Sequence, residues 1–173
     1  MSKNWLVTGS SSGLGKFLTG HFQAVGLSRS DLKDRIRENK TYDLIIHCAF
    51  SKPKETVPGV DAEFLQQVLK IPHRKFVFVS SVDVYPRDGK SHSEDEKLDL
   101  APAISAYAQA KIQCEAMVQK KPGSNLIIRP ASLIGPIIVN QNLKTLLNEY
   151  FNAGLRIYRP LLCRFLTGTK KQG

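Results

Sequence analysis

Thr-Gly-Ser-Ser-Ser-Gly-Leu-Gly, residues 8–15, follows the apolar run Trp5-Leu6-Val7 and opens a helix-like segment. A strand, a glycine-rich turn and a helix in this order form a seat for a diphosphate. Because Gly9, Gly13 and Gly15 lack a Cβ atom, they allow a tight turn, close approach of backbone N–H groups to phosphate oxygens, and close packing of helix on strand. The helix N-terminus also presents its positive dipole end to the anion. Alone, the turn is a weak signal, because small-residue turns between a strand and a helix are common.

Strand-like and helix-like segments alternate along the chain. The apolar patterns predict strands over residues 4–8, 23–27, 44–49, 75–80 and 126–128, and helices over 14–22, 31–39, 60–69, 106–119 and 143–150. This alternation predicts an α/β fold with a doubly wound, Rossmann-like parallel sheet. Only 15 residues separate Leu27 from Asp43, which is room for one helix but not for a further strand and helix. We therefore expect one strand fewer than in the full dinucleotide-binding fold.

Right-handed crossovers bring the carboxyl ends of parallel strands, and the loops after them, to one edge of the sheet. Ligands bind at this edge, where the strand order reverses. The sequence places four segments there: the glycine turn, residues 49–51, Ser80-Ser81 and Arg129-Pro130.

Length and composition restrict the classes of protein. The 173 residues fit one dinucleotide-binding domain over residues 1–140 with a short, basic, helical extension over 141–173. No apolar run is long enough for a membrane span or a signal peptide, so a cytoplasmic protein without a membrane partner is expected. The three cysteines are far apart and indicate neither a disulfide framework nor a metal site. The net charge of +10 suits a nucleotide or another anion. Because the charge is dispersed, without a basic helix or stacking platform, a nucleic acid partner is disfavoured.

Three residues form a candidate catalytic set. Tyr107 and Lys111 are spaced i,i+4, which puts both side chains on one helix face. A cation near a phenol stabilises the phenolate, so Lys111 is expected to lower the pKa of Tyr107 and make it a usable acid or base. Ser81 ends a buried strand at the same sheet edge, where its hydroxyl can hold a substrate oxygen beside Tyr107. Each element alone has a structural alternative, such as an exposed Tyr-Lys pair or a serine in a turn.

Together these motifs resemble the short-chain dehydrogenase/reductase superfamily, and more closely its extended branch of NAD(P)-dependent nucleotide-sugar epimerases, dehydratases and reductases. The similarity covers roughly residues 4–136. Besides the glycine turn, it rests on Ile46-His47-Cys48-Ala49, on Phe78-Val79-Ser80-Ser81 with the following Val84-Tyr85, and on Ile128-Arg129-Pro130 through Gly135-Pro136. The glycine spacing itself is that of the classical branch. Extended-branch proteins continue beyond the Arg-Pro motif into a substrate domain, so the resemblance implies a C-terminally truncated member without that domain.

The resemblance implies roles for individual residues. Ser81 and Tyr107 would be catalytic, Tyr107 as the acid or base, and Lys111 would bind the nicotinamide ribose and tune Tyr107. The remaining residues implied for the dinucleotide are Gly9, Ser11, Ser12, Gly13, Leu14, Gly15, Ser28, Arg29, Asp31, Leu32, Cys48, Ala49, Phe50, Ser80, Pro130, Ala131 and Ser132. The resemblance also implies a nucleotide-sugar-like substrate and a homodimer.

Two questions stay open at this point. Arg29 stands near the position where an acidic residue normally holds the adenosine ribose, which gives NADP a slight preference over NAD; a solvated arginine is the alternative. Val82-Asp83 follows Ser81 in place of the Asp-Glu of dehydratases, so dehydration is disfavoured. The second function considered is a non-catalytic dinucleotide-binding module or an inactive relative of an enzyme.

Overall fold

The structure is a computed structural model that describes residues 4–52, 56–100 and 105–131. Strands and helices alternate in the order β1 (Trp5–Thr8), α1 (Gly13–Phe22), β2 (Val25–Leu27), α2 (Leu32–Arg37), β3 (Tyr42–His47), α3 (Val60–Val68), β4 (His73–Val79), α4 (Ala106–Lys120) and β5 (Ser124–Ile128), with a short 3-10 helix at Val82–Val84. The predicted helix over residues 143–150, and Ser132, lie outside the described residues.

The described strands form one sheet in the order β2-β1-β3-β4-β5, and every pairing is parallel. The chain runs from β1 outward to β2 and then crosses back to β3, so the strand order reverses between β1 and β3. Right-handed crossovers put α1 on one face and α2, α3 and α4 on the other, where α3 packs between α2 and α4. The predicted Rossmann-like parallel sheet, with one strand fewer than the full fold on the β2 side of the reversal, is confirmed for the described strands.

The core lies between the sheet and the three-helix layer. Phe76 and Phe78 alternate with less buried residues along β4 and are fully buried. Leu65 and Val68 on α3, and Cys114 on α4, belong to the same cluster of buried side chains. This packing holds the start of α4 against the carboxyl end of β4, at the sheet edge where the residues that follow the strands lie.

Several strand boundaries differ from the prediction, since β4 begins at His73 and β5 at Ser124, two residues earlier than predicted. For β2 and β3 the reason can be identified. β2 starts at Val25 rather than residue 23, because Gln23 has a φ of +51° and its N–H bonds back to the end of α1. β3 spans Tyr42–His47 rather than residues 44–49. Cys48 and Ala49 leave the ladder because their N–H groups donate to the Thr8 hydroxyl instead.

In the ranges that the structure describes, none of the helices combines the length and the apolar character that crossing a bilayer requires. Two cysteines fall within those ranges. Cys48 is half-buried and Cys114 is buried, and both are free thiols.

Candidate functional site

Two glycines of the turn after β1 are required by backbone packing. Gly9 has a φ of +71°, and a Cβ atom there would lie 2.9 Å from the Ala49 nitrogen. A Cβ atom on Gly15 would lie 2.2 Å from the Gly9 carbonyl oxygen, which is far inside van der Waals contact. The turn therefore presses against the end of β3, and α1 begins directly on the end of β1. This is the close strand-turn-helix geometry that the sequence predicts.

The third glycine and the serines beside it face open space. Gly13 has a φ of +51°, and a Cβ atom there would meet no atom of the described residues within 4 Å. Ser12 precedes α1 in an extended conformation, and its side chain makes no capping hydrogen bond. Ser11, Ser12 and Gly13 are exposed. Within the described part of the chain, the first N–H groups of α1 thus receive no cap from Ser12 and lie at an open end of the helix, which is the arrangement that a diphosphate fits.

A buried hydrogen-bond cluster locks the ends of β1 and β3 together. The Thr8 hydroxyl oxygen accepts the N–H groups of Cys48 and Ala49, each at 3.1 Å, and lies 3.0 Å from His47 Nδ1. Because both lone pairs of the Thr8 oxygen are occupied, its hydrogen donates to His47 Nδ1, which puts the imidazole hydrogen on Nε2. His47 is fully buried, and this burial lowers its pKa to about 3, so the ring stays neutral. These hydrogen bonds hold Cys48 and Ala49, which follow β3, against Gly9 of the glycine turn.

The side chains of Phe50, Tyr107 and Lys111 meet where β4 ends. Lys111 is 3% exposed, and its ammonium donates to the Val79 carbonyl at 2.7 Å. The same nitrogen lies 3.7 Å from the centre of the Phe50 ring and 5.6 Å from the centre of the Tyr107 ring. Phe50 and Tyr107 pack edge to face with centroids 5.4 Å apart. Burial lowers the pKa of Lys111 to about 8.

The pKa of Tyr107 differs from the expectation. It is raised, mainly because burial disfavours the phenolate and also because the Asp83 carboxylate is near; hydrogen bonding to Ser81 acts in the opposite direction. The predicted lowering by Lys111 is wrong for this structure, since the ammonium is directed at the Val79 carbonyl. Ser81 also caps the 3-10 helix: its hydroxyl donates to Asp83 Oδ2 and accepts the Asp83 N–H, both at 3.2 Å.

The polar residues after β2 differ in where their side chains bind: some bond within the loop, and Arg29 bonds to a helix. Asp31 accepts hydrogen bonds from Ser28 at 2.5 Å and Ser30 at 3.0 Å, which hold the pKa of its carboxyl below the ordinary value. Arg29 instead reaches α3, where its Nη2 donates to Asp61 Oδ1 at 3.0 Å. Leu32 is buried in the core cluster rather than exposed at the cofactor edge.

Arg129 and Ser80 lie beside the candidate catalytic residues. Arg129 forms a two-pronged ion pair with buried Glu115, with Nη2 and Oε2 2.7 Å apart, and donates to the Tyr85 hydroxyl at 2.6 Å. Ser80 donates its N–H to the Ile128 carbonyl, while its own hydroxyl is buried without a partner among the described residues. The Pro130 carbonyl accepts the Val82 N–H, which ties the loop after β5 to the loop after β4.

Sequence reasoning missed four residues of this edge, namely Thr8, Asp61, Asp83 and Glu115. Thr8 adjoins the quoted glycines, and Glu115 lies one helical turn beyond Lys111. Spacing could thus have pointed to these two. Nothing in the sequence shows that Asp61 would meet Arg29, since 32 residues separate them.

The buried ammonium of Lys111 predicts a pH-dependent stability. Its pKa falls from 10.5 to about 8 on folding, so between these values the unfolded chain holds a proton that the folded protein has lost. The cost of burying the charge is therefore full below pH 8 and disappears as the pH rises. We expect the unfolding free energy of the wild type, relative to Lys111→Met, to increase by about 3 kcal/mol from pH 8 to 10.5. Urea unfolding measures this difference. Lys120→Met, at an exposed position of the same helix, is the control, and a Lys111→Met difference independent of pH would contradict the assignment.

The fold and this edge have the form of a dinucleotide-binding α/β protein. The chain belongs to the NAD dependent epimerase/dehydratase family, whose family model matches residues 4–156. A comparison with curated proteins found no match.

Solved structures share the fold at low sequence identity. UDP-N-acetylglucosamine 4-epimerase from Bacillus cereus is 20% identical with a TM-score of 0.61, and the match covers 82% of this chain and 64% of that one. The Bordetella bronchiseptica enzyme WbmG, in complex with NAD, is 16% identical with a TM-score of 0.64, covering 91% of this chain and 62% of that one. A UDP-galactose 4-epimerase is 21% identical with a TM-score of 0.62, covering 86% and 63%. The chain thus spans less than two thirds of the length of these structures.

Proposed function

We propose that this protein is an NAD(P)-dependent oxidoreductase of the epimerase type, which acts on a nucleotide-sugar-like substrate through Ser81, Tyr107 and Lys111. The observation that carries the proposal is the meeting of Phe50, Tyr107 and buried Lys111 at the sheet edge that also carries the open glycine turn. Family membership supports a nicotinamide dinucleotide as the cofactor. The UDP-sugar epimerases among the structural neighbours support the substrate class, and a homodimer remains an expectation by analogy.

The dinucleotide is assigned to the open end of α1. Its diphosphate would accept the N–H groups of Gly13 and Leu14, with the Ser11 and Ser12 hydroxyls beside it. Cys48, Ala49 and Phe50 would form the floor of the site, and Ser80, Pro130 and Ala131 would line the nicotinamide end. When bound, the nicotinamide ring supplies or accepts the hydride. The Lys111 ammonium, now on the Val79 carbonyl, has two further N–H donors for ribose hydroxyls.

Tyr107 would supply the proton that the reduction needs. Because its pKa is raised, Tyr107 is a neutral phenol at pH 7 and therefore a proton donor in this structure. In the reductive direction its O–H proton would pass to a substrate carbonyl oxygen as that carbon gains hydride, and the phenolate would regain a proton from solvent. Ser81 would hold the same oxygen by exchanging its hydrogen bond to Asp83 for one to the substrate.

A non-catalytic dinucleotide-binding module is the second candidate. The observations that favour it are the raised pKa of Tyr107 and the occupation of the Ser81 hydroxyl by Asp83. In the absence of ligand, Tyr107 is thus a poor base, and the Ser81 hydroxyl is already hydrogen-bonded. This candidate predicts cofactor binding without turnover.

Calorimetric titration with NAD, NADH, NADP and NADPH, followed by turnover assays with UDP sugars, separates the two candidates. The enzyme proposal expects micromolar binding of at least one dinucleotide and conversion of at least one sugar nucleotide. Binding without any conversion would favour the second candidate. The absence of binding below millimolar concentration would overturn both.

A further inference from the structure

Asp61 is a buried carboxylate at the cofactor edge whose partners come from two different strand ends. It is the second residue of α3, and its side chain is 1% exposed. It accepts the Ser51 N–H and the Ser51 hydroxyl at 3.1 Å each, both from the segment after β3. Its third partner is Arg29, from the segment after β2. The strand order reverses between these two segments, so Asp61 and Arg29 lie where the adenosine half of a dinucleotide would bind.

One nitrogen of the Arg29 guanidinium is hydrogen-bonded, and the rest of the side chain is accessible. Its side chain is 53% exposed, and its guanidinium carbon lies 5.3 Å from the centre of the Phe64 ring. Only Nη2 has a hydrogen-bond partner among the described residues. Arg29 also lines a cavity of about 370 Å³, together with Val60, Glu63, Phe64, Gln66 and Gln67. An arginine in this position is the group that accommodates the 2′-phosphate of NADP.

We propose that Asp61 determines cofactor specificity by holding Arg29 and thereby makes the site prefer NAD over NADP. The inference rests on the proposed function, because it presupposes that a dinucleotide binds at this edge. It replaces the slight preference for NADP that Arg29 alone suggested from the sequence.

The negative charges around Arg29 disfavour a second anion there. A 2′-phosphate would have to share the guanidinium with a carboxylate that is already bound to it and buried, where opposing charges are weakly screened. The cavity on the open side of Arg29 contains a second carboxylate, Glu63. A third, Asp31, follows two residues later and is held ionised by Ser28 and Ser30. A ribose 2′-hydroxyl is uncharged and can donate to a carboxylate, so NAD meets no such repulsion.

The test compares dissociation constants of NAD and NADP by calorimetry for the wild type, Asp61→Asn, Arg29→Ala and the double variant. The wild type is expected to bind NAD at least about tenfold more tightly than NADP. Asp61→Asn keeps the size of the side chain and an oxygen for the Ser51 N–H but removes the negative charge. It should shift the ratio of the two dissociation constants toward NADP by about tenfold.

The double variant distinguishes specificity from structural damage. If Asp61 acts through Arg29, then Asp61→Asn should shift the ratio much less in the Arg29→Ala background. Asp34→Asn, in an exposed pair with Arg37, is the matched control and should leave the ratio unchanged. A wild type that prefers NADP, or an equal shift in both backgrounds, would overturn the inference and leave the proposed function standing. Failure of the wild type to bind either cofactor would overturn both.

Discussion

Tyr107→Phe should reduce turnover about 10³-fold while changing cofactor affinity by less than about twofold. Phenylalanine keeps the ring that packs edge to face on Phe50, with centroids 5.4 Å apart, so the shape of the site is preserved. The change removes only the hydroxyl whose proton the proposed reaction uses. Steady-state rates with the best UDP sugar and calorimetric titration with the preferred cofactor give the two quantities.

Tyr42→Phe is the matched control for this prediction. Tyr42 is fully buried at the opposite end of the sheet, at the start of β3, so the same chemical change there should leave turnover unchanged. Undiminished activity of Tyr107→Phe would remove Tyr107 from its proposed role. Equal losses in both variants would show that the effect comes from the fold and not from the proton donor.

Gly15→Ala should destabilise the protein by about 3 kcal/mol and abolish dinucleotide binding. The added Cβ atom would lie 2.2 Å from the Gly9 carbonyl oxygen and 2.6 Å from the Gly9 carbonyl carbon. Neither is a flexible side-chain end that can turn away. Helix α1 must therefore move off the end of β1, which separates its free N–H groups from the rest of the glycine turn. Urea unfolding and cofactor titration of the variant measure the two consequences.

Gly20→Ala provides the control within the same helix. A Cβ atom at Gly20 would meet nothing within 4 Å. Alanine in a helix is favoured over glycine, so this variant should be more stable than the wild type by about 0.5 to 1 kcal/mol and should bind the cofactor normally. If Gly15→Ala proved as stable as Gly20→Ala, the close contact between α1 and β1 would be wrong.

The sheet could be predicted from sequence because its signals are local. The continuous apolar runs of β3 and β4 are typical of parallel strands covered on both faces, and the glycine turn marks the first crossover. The short span between Leu27 and Asp43 limited the number of strands by simple chain length. Strand boundaries were predicted less well where a side chain accepts the hydrogen bond that a neighbouring strand would otherwise accept. The Thr8 hydroxyl does so for the N–H groups of Cys48 and Ala49.

The electrostatics of the site could not be predicted in the same way. The i,i+4 spacing places Tyr107 and Lys111 on one helix face, but it does not give the depth of burial. Burial lowers the pKa of Lys111 and raises that of Tyr107, and the Val79 carbonyl decides where the ammonium points. The pairing of Arg29 with Asp61 likewise depends on two segments that only the folded chain brings together.

The most direct test of the account is a crystal structure of the protein with NADH. The diphosphate is expected within hydrogen-bond distance of the Gly13 and Leu14 N–H groups, and the nicotinamide ring is expected beside Tyr107 and Lys111. A dinucleotide bound elsewhere would contradict this expectation, for example at the opposite end of the strands, in the cavity of about 210 Å³ that Pro72 and Pro122 help to line.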